Sequence, residues 1–177
     1  MKRIIALLAA FSAVMLSGCS KDVSENESGG SDAEMLFDWF FSEDMPWDET
    51  REFELPEFPD VKFKWDNLNV IAEKDGEETA LFRGMPIWSV YFADLNGDGK
   101  REICSAVSIG SGIVDERIYV YDYANGALFV LQDRFYHNYS LELKDGVLYY
   151  IETPERAEGE KRSEPLTLSQ LTAFGKQ

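Results

Sequence analysis

The chain has 177 residues, with 33 acidic and 17 basic side chains and a formal net charge of −16 at pH 7. Such a chain is repelled by phosphate backbones, so the composition argues against nucleic-acid binding. Its aromatic content of 14% is higher than a disordered chain carries, and its length suits a single core. We therefore expect one folded domain that attracts cations.

The N-terminus has the pattern of an export signal. Lys2 and Arg3 precede an apolar run at 4–15, which is too short to span a membrane, and Leu-Ser-Gly-Cys follows at 16–19. These four residues resemble the bacterial lipobox. That resemblance implies a signal peptide at 1–18 and a mature chain held by lipid, including palmitate, on Cys19. The predicted location is the outer face of the cell membrane or the outer membrane; a signal peptide without lipid is the alternative.

Residues 19–31 contain a single apolar side chain after the cysteine and predict a flexible spacer. Ser31 and Glu34 then have the spacing of a capping box, and an apolar run follows until Pro46. This pattern predicts one N-terminal helix over 32–47. Its apolar residues cover more than one face, which favours packing on the domain over docking to a partner.

From residue 51 onward, short β-rich runs alternate with turn dipeptides, which predicts a β domain over 51–177. Asp-Gly at 75–76, Asn-Gly at 125–126 and Asp-Gly at 145–146 are strong hairpin signals. The predicted strands are 61–65, 68–73, 77–82, 87–93, 102–108, 117–123, 127–135, 140–144 and 147–152. The fold class is mainly β, an antiparallel meander forming a sandwich or a strongly curved sheet. We expect a loop at 154–164 and either a strand or a short helix at 166–174.

The stretch Asp-Leu-Asn-Gly-Asp-Gly-Lys-Arg-Glu at 94–102 is the strongest candidate site. It carries side-chain oxygens at alternate positions, as a calcium loop does, and predicts calcium as the cofactor. The expected ligands are the side chains of Asp94, Asn96, Asp98 and Glu102 and the carbonyl of Lys100. A polar hairpin turn without metal is the alternative reading.

The surroundings of this loop narrow the type of calcium site. The twelfth position is Ser105 and the flanks lack helical periodicity, so an EF-hand is not expected. Asp115 or Glu116 could complete the calcium shell from a neighbouring loop, although a simple hairpin connection there is favoured. The loop resembles the FG-GAP or VCBS type, which recurs in each blade of a propeller; a single copy predicts that this chain is not a complete propeller.

A broader resemblance covers about residues 53–152. It is carried by FPDVKF at 58–63, FRGMPIWSVYF at 82–92 and CSAVSIGSGIVDERI at 104–118. These segments resemble an extracellular domain of Firmicutes lipoproteins and of membrane-bound metallopeptidase sensors. The resemblance implies an extracytoplasmic module but no activity, and the zinc motif of the peptidase half is absent from this sequence.

No catalytic constellation is visible in the sequence. Cys104 lies in an apolar run and His137 cannot be paired with it, and no nucleophile elbow or phosphate-binding loop occurs. We expect a calcium-binding domain that acts as a binding or sensing module, with an envelope protein or glycan as partner. The alternatives are a hydrolase of cell-wall glycan, which would use paired carboxylates, and a purely structural envelope lipoprotein.

Overall fold

The computed structural model describes residues 33–39, 49–110, 115–134, 136–155 and 159–175. The predicted signal peptide, the lipidated Cys19 and the spacer lie outside these residues. Within them the chain forms thirteen strands and one short 3-10 helix, Leu168–Gln170. The strands are β1 Glu34–Asp38, β2 Arg51–Phe53, β3 Lys62–Trp65, β4 Asn69–Lys74, β5 Glu77–Arg83, β6 Ser89–Ala93, β7 Glu102–Ser108, β8 Glu116–Asp122, β9 Ala127–Leu131, β10 His137–Lys144, β11 Val147–Pro154, β12 Arg162–Pro165 and β13 Thr172–Phe174.

All the strand pairs are antiparallel, which confirms the predicted mainly β class. In the described part of the chain they form a six-stranded sheet of order β1-β6-β7-β8-β9-β13, a four-stranded sheet β2-β3-β4-β5 and a three-stranded sheet β10-β11-β12. The predicted single meander is therefore divided among three sheets. The turns at Asp75 and Asp145 have positive φ of 54° and 50°, as a two-residue hairpin turn requires.

The central strands of the six-stranded sheet are buried on both faces. On one face, Ile103, Val107 and Tyr119 belong to a core cluster shared with aromatic residues of the four-stranded sheet, such as Phe63 and Trp65. On the other face, Cys104, Ala106, Ile118 and Val120 form a second cluster with Tyr139, Leu141, Leu148 and Tyr150 of the three-stranded sheet. This double burial explains why β7 reads as a nearly continuous apolar run rather than an alternating one.

The predicted N-terminal helix over 32–47 is wrong where the structure describes it. Residues 34–38 form β1, which pairs with β6 from Glu34 opposite Phe92 to Asp38 opposite Ser89. A short apolar run without alternation fits a buried strand and a buried helix equally well, and the pairing with β6 decided between them. Residues 40–48 lie outside the described part of the chain.

Strand pairing also determines the structure of the two C-terminal segments, 154–164 and 166–174. Part of the expected loop at 154–164 contributes to β12, which adds an exposed strand to β11. The region 166–174 contains both of the expected alternatives, the 3-10 helix and then β13, which pairs with β9. None of the helical segments among the described residues has the length and apolar character needed to cross a membrane.

Replacing Phe37 by Ala should lower the free energy of unfolding by about 3 kcal/mol, because the change leaves a cavity in the core. The Phe37 ring is 5% exposed and lies 4.7 Å from that of Trp65, measured between centroids. Met35→Ala on the same strand is the control, since Met35 is 47% exposed. Urea denaturation monitored by tryptophan fluorescence measures both changes. Equal small losses for the two variants would contradict the packing of β1 on the core.

Candidate functional site: the acidic loop between β6 and β7

The acidic loop connects two central strands, and their pairing fixes both of its ends. Ala93, the last residue of β6, is opposite Glu102, the first residue of β7. Leu95 is 8% exposed and packs into the second core cluster, so its side chain anchors the start of the loop. Residues 96–100 are exposed to solvent. The loop therefore has a base that strand pairing and Leu95 hold in place, and a solvent-exposed rim at residues 96–100.

The polar side chains of the loop accept hydrogen bonds from the loop's own backbone. The Asp94 carboxylate accepts the amides of Gly97, Asp98 and Gly99 at 2.8, 3.2 and 2.9 Å. The Asn96 side-chain oxygen accepts the Asp98 amide, and the Asp98 carboxylate accepts the Lys100 amide, each at 2.8 Å. Gly97 and Gly99 have φ of 76° and 81°, which L side chains rarely adopt, so glycine permits this tight winding.

Glu102 is the buried acid of the loop, at 1% exposure. Its carboxylate accepts the Leu95 amide and the Asn96 side-chain amide, both at 2.7 Å. Burial raises the pKa of the Glu102 carboxyl to about 7, although the hydrogen bond from Leu95 opposes this rise. The negative charges of Asp122, Asp94 and Asp98 raise its pKa further.

Asp122 is a site residue that sequence reasoning missed. It ends β8 one step beyond the Ile103–Tyr121 pair, and this register places it opposite Glu102. Asp122 is 5% exposed, and its carboxylate accepts the Asn125 amide and side chain at 2.9 and 2.7 Å. Within the described residues, no ion pair reaches Glu102 or Asp122. No local sequence pattern marks this proximity, because it depends on the register between β7 and β8.

The structure separates Asp115 and Glu116 from the acidic loop. Glu116 pairs with Ser108 at the opposite end of β7 from Glu102. Asp115 is buried and accepts two hydrogen bonds from the Arg117 guanidinium at 3.0 and 2.6 Å. Asp115 and Glu116 therefore lie at the far end of β7 from Glu102, and the structure does not bring either residue to the acidic loop.

Arg101 holds the exit of the loop against two other segments. Its guanidinium donates to the Glu57 carboxylate at 2.5 and 3.1 Å and to Glu34 at 3.0 Å. The Arg101 hydrogen bond is the main cause that lowers the pKa of Glu57, and partial burial opposes it. The pair also lies near the Phe92 ring, 5.9 Å from the Arg101 guanidinium carbon. These contacts of Arg101 with Glu57 and Glu34, called the Arg101 clamp below, hold the backbone immediately before Glu102.

The donor chemistry of the site suits a hard cation, but its side chains are not drawn together around one point. Within the described residues, no three His, Cys, Asp or Glu side chains form a group that could hold a metal ion. Each acid instead faces backbone or amide N–H groups, as described above. A carboxylate has about four acceptor positions, so an N–H bond leaves capacity for a cation on the same group. Oxygen-only donors favour calcium or magnesium over zinc or copper.

Comparisons with protein-family models, with curated proteins and with solved structures found no match to this chain.

Glu57→Gln should reduce the decrease in the free energy of unfolding that occurs when the pH is lowered. The fold lowers the pKa of Glu57 below its ordinary value near 4.5. The ion pair with Arg101 therefore contributes its full stabilisation above pH 4.5. This stabilisation is lost as the pH falls through the lowered pKa of the folded state. The free energy of unfolding should therefore fall more steeply between pH 5 and 3 in the unsubstituted protein than in the variant. Urea titrations in EDTA over this pH range measure the difference, with Glu54→Gln, at an exposed position, as the control.

Proposed function

We propose that this protein is a lipid-anchored extracytoplasmic β domain that binds calcium in the 94–102 loop and acts as a binding or sensing module. The proposed ligands are Asp94, Asn96, Asp98, the Lys100 carbonyl and Glu102, joined by Asp122 from the end of β8. The layered arrangement of the sheets supports a sandwich-type fold rather than a strongly curved sheet. The absence of sequence repeats supports the exclusion of a complete propeller.

The observation that carries the calcium proposal is the buried pair of carboxylates at Glu102 and Asp122. Their exposures are 1% and 5%, and no basic side chain among the described residues forms an ion pair with either. Two buried like charges are unfavourable unless a proton or a cation neutralises them. The open rim of the loop, with Asp94 and Asp98 beside this pair, offers a cation both access and further oxygen ligands.

Calcium binding would be coupled to a rearrangement of the loop. Glu102 is turned toward Leu95 and Asn96, and Asp94 is turned toward three backbone amides. A cation would draw the side chains of Asp94, Asp98 and Glu102 toward a common point, while Arg101 and Leu95 keep the base of the loop in place. The rim is therefore the part of the site that responds to the ion.

A calcium site of this kind would be filled outside the cell. Extracellular modules bind calcium with dissociation constants of about 10⁻⁴ to 10⁻³ M. At a tenfold excess of calcium over its dissociation constant, binding adds on the order of 1.4 kcal/mol to the free energy of unfolding. That amount is a substantial part of the stability of an ordinary domain. Calcium would then be a permanent structural ion of the anchored module.

Calcium should raise the melting temperature of the domain, and EDTA should reverse the rise. Glu102→Gln should abolish this response, yet its melting temperature in EDTA at pH 8 should equal or exceed that of the unsubstituted protein, because a buried negative charge is removed. Asp122→Asn should weaken calcium binding. Asp145→Asn, in the Asp-Gly turn between β10 and β11, is the matched control and should keep the full response.

Differential scanning fluorimetry and calorimetric titration with calcium chloride measure these effects. A merely structural Glu102 would give the opposite result, in which the variant is less stable in EDTA but still responds to calcium. A melting temperature that is indifferent to calcium in the unsubstituted protein would refute the proposed site.

The lipid anchor is tested separately at Cys19. In cells that express the full chain, labelled palmitate should be incorporated into the protein, and Cys19→Ser should abolish the labelling and release the protein from the membrane fraction. Cys104→Ser is the control, because Cys104 is fully buried and should not accept lipid. Labelling that persists in the Cys19 variant would contradict the anchor.

A further inference from the structure

A cleft of about 290 Å³ opens between the β4–β5 hairpin of the four-stranded sheet and the end of β8 in the six-stranded sheet, and is called the hairpin cleft below. Ala72 and Thr79, which lie opposite each other in the hairpin, line it from one side. Tyr121 and Tyr123 line it from the other side and pack against the core cluster that the two sheets share. The cleft is therefore an opening of that core to solvent.

Large side chains close the space between the two sheets around the hairpin cleft. Phe82 of β5 meets Tyr119 of β8 edge-on, with ring centroids 5.9 Å apart. Phe63 of β3 meets Tyr123 in the same way, with centroids 5.2 Å apart. Ala72 lies beside Phe63 in the strand register, and both Ala72 and its partner on β5 are small. Because these two side chains are too short to reach β8, the cleft remains open.

The two tyrosines of the hairpin cleft differ in their surroundings. The Tyr123 ring is held by edge contacts with Phe58 and Phe63, at centroid distances of 5.0 and 5.2 Å. Tyr121 makes no contact with another ring among the described residues, and both tyrosines are partly exposed. Neither hydroxyl group forms a hydrogen bond within the described part of the chain. Tyr123 is thus a fixed wall, and Tyr121 has ring surface available for a ligand.

The mouth of the hairpin cleft carries charged side chains without partners. Lys74 and Glu77 lie opposite each other in the register, on the same face as the buried residues of the hairpin, and Asp75 is in the turn. None of the three forms an ion pair or a side-chain hydrogen bond within the described residues. On the outer face of the same hairpin, by contrast, Glu78 is paired with Lys64 at 2.7 Å. The mouth therefore has two carboxylates and one ammonium group available for a ligand.

This combination of groups matches a neutral sugar ring. The C–H face of such a ring packs on an aromatic side chain, while its hydroxyl groups donate to carboxylates and accept from an ammonium group. An anionic ligand would meet two carboxylates, and a simple cation would meet Lys74 at the same mouth. Clefts for drug-sized ligands have volumes of about 300 to 1,000 Å³, so a cleft at the lower end of this range suits one ring.

We propose that the hairpin cleft binds one neutral sugar ring at the end of a glycan, with the ring packed on Tyr121 and its hydroxyl groups bonded to Lys74 and Glu77. The proposal rests on the binding-module part of the proposed function and does not require calcium. Asp122 alternates with Tyr121 along β8, so the buried carboxylates of the calcium site and the cleft lie on opposite faces of the sheet.

The test uses the full chain, purified in a non-ionic detergent without a sugar headgroup. The probes are the methyl glycosides of glucose, galactose, mannose and N-acetylglucosamine, each at up to about 20 mM, which covers millimolar dissociation constants. Saturation-transfer NMR in EDTA should detect binding of at least one of them. ¹H-¹⁵N spectra should then show shifted amide signals of Ala72, Thr79 and Tyr121. Glucuronic acid and butylammonium, the anionic and cationic comparison probes, should bind more weakly than the best neutral sugar.

Substitutions in the hairpin cleft separate its contributions to binding. Tyr121→Leu should weaken binding about tenfold because the ring surface is lost, whereas Tyr121→Phe should change it by less than about threefold. Glu77→Ala should weaken binding about fivefold, since a hydrogen-bond acceptor is removed. Glu78→Ala, on the outer face of the same strand, is the matched control and should bind normally. Thr79→Phe should fill the cleft and abolish binding while the melting temperature is maintained.

Several results would overturn the sugar proposal. They are no binding of any of the four glycosides, tighter binding of glucuronic acid or butylammonium than of every neutral sugar, equal losses in the Glu77 and Glu78 variants, and retained binding in a folded Thr79→Phe variant. Glu102→Gln distinguishes the two proposed sites, because it should remove the calcium response and keep sugar binding. Loss of both in that variant would refute the independence of the hairpin cleft.

Discussion

The pairing of β6 with β7 and of β7 with β8, inside a sheet that is covered on both faces, is the constraint on which the candidate site depends. It brings Glu102 and Asp122 side by side in the interior, each at 5% exposure or less. A buried acid favours its neutral form or a bound cation, and the raised pKa of Glu102 expresses that preference. The fold thus places two buried carboxyl groups at one end of the central sheet, next to the acidic loop.

The loop combines a rigid base with a responsive rim. Arg101 connects the start of β7 to Glu57 and to Glu34 on β1, and Leu95 is anchored in the core, while residues 96–100 are exposed. An ion that gathers the rim side chains would act on a base that is already in position, so its binding energy would go into stabilising the fold. The same clamp connects the loop to β1, which means that the N-terminal strand would share in that stabilisation.

The ion pairs within the described residues involve acids other than Glu102 and Asp122. In a chain of net charge −16, Arg101 pairs with Glu57, Arg117 with Asp115, and Lys144 with Glu142.

The sequence by itself determined what depends on neighbouring residues: β7 at 102–108, the hairpins at 75–76 and 145–146, and the loop with its glycine-dependent turns. Local dihedral preferences and short-range hydrogen bonds specify these features. Only the tertiary structure decided that residues 34–38 form a strand, because a short apolar run acquires its type from the strand with which it pairs. It also decided that Asp122, and not Asp115 or Glu116, accompanies Glu102. Such proximities join residues far apart in the chain through strand register and sheet packing, and no local pattern encodes them.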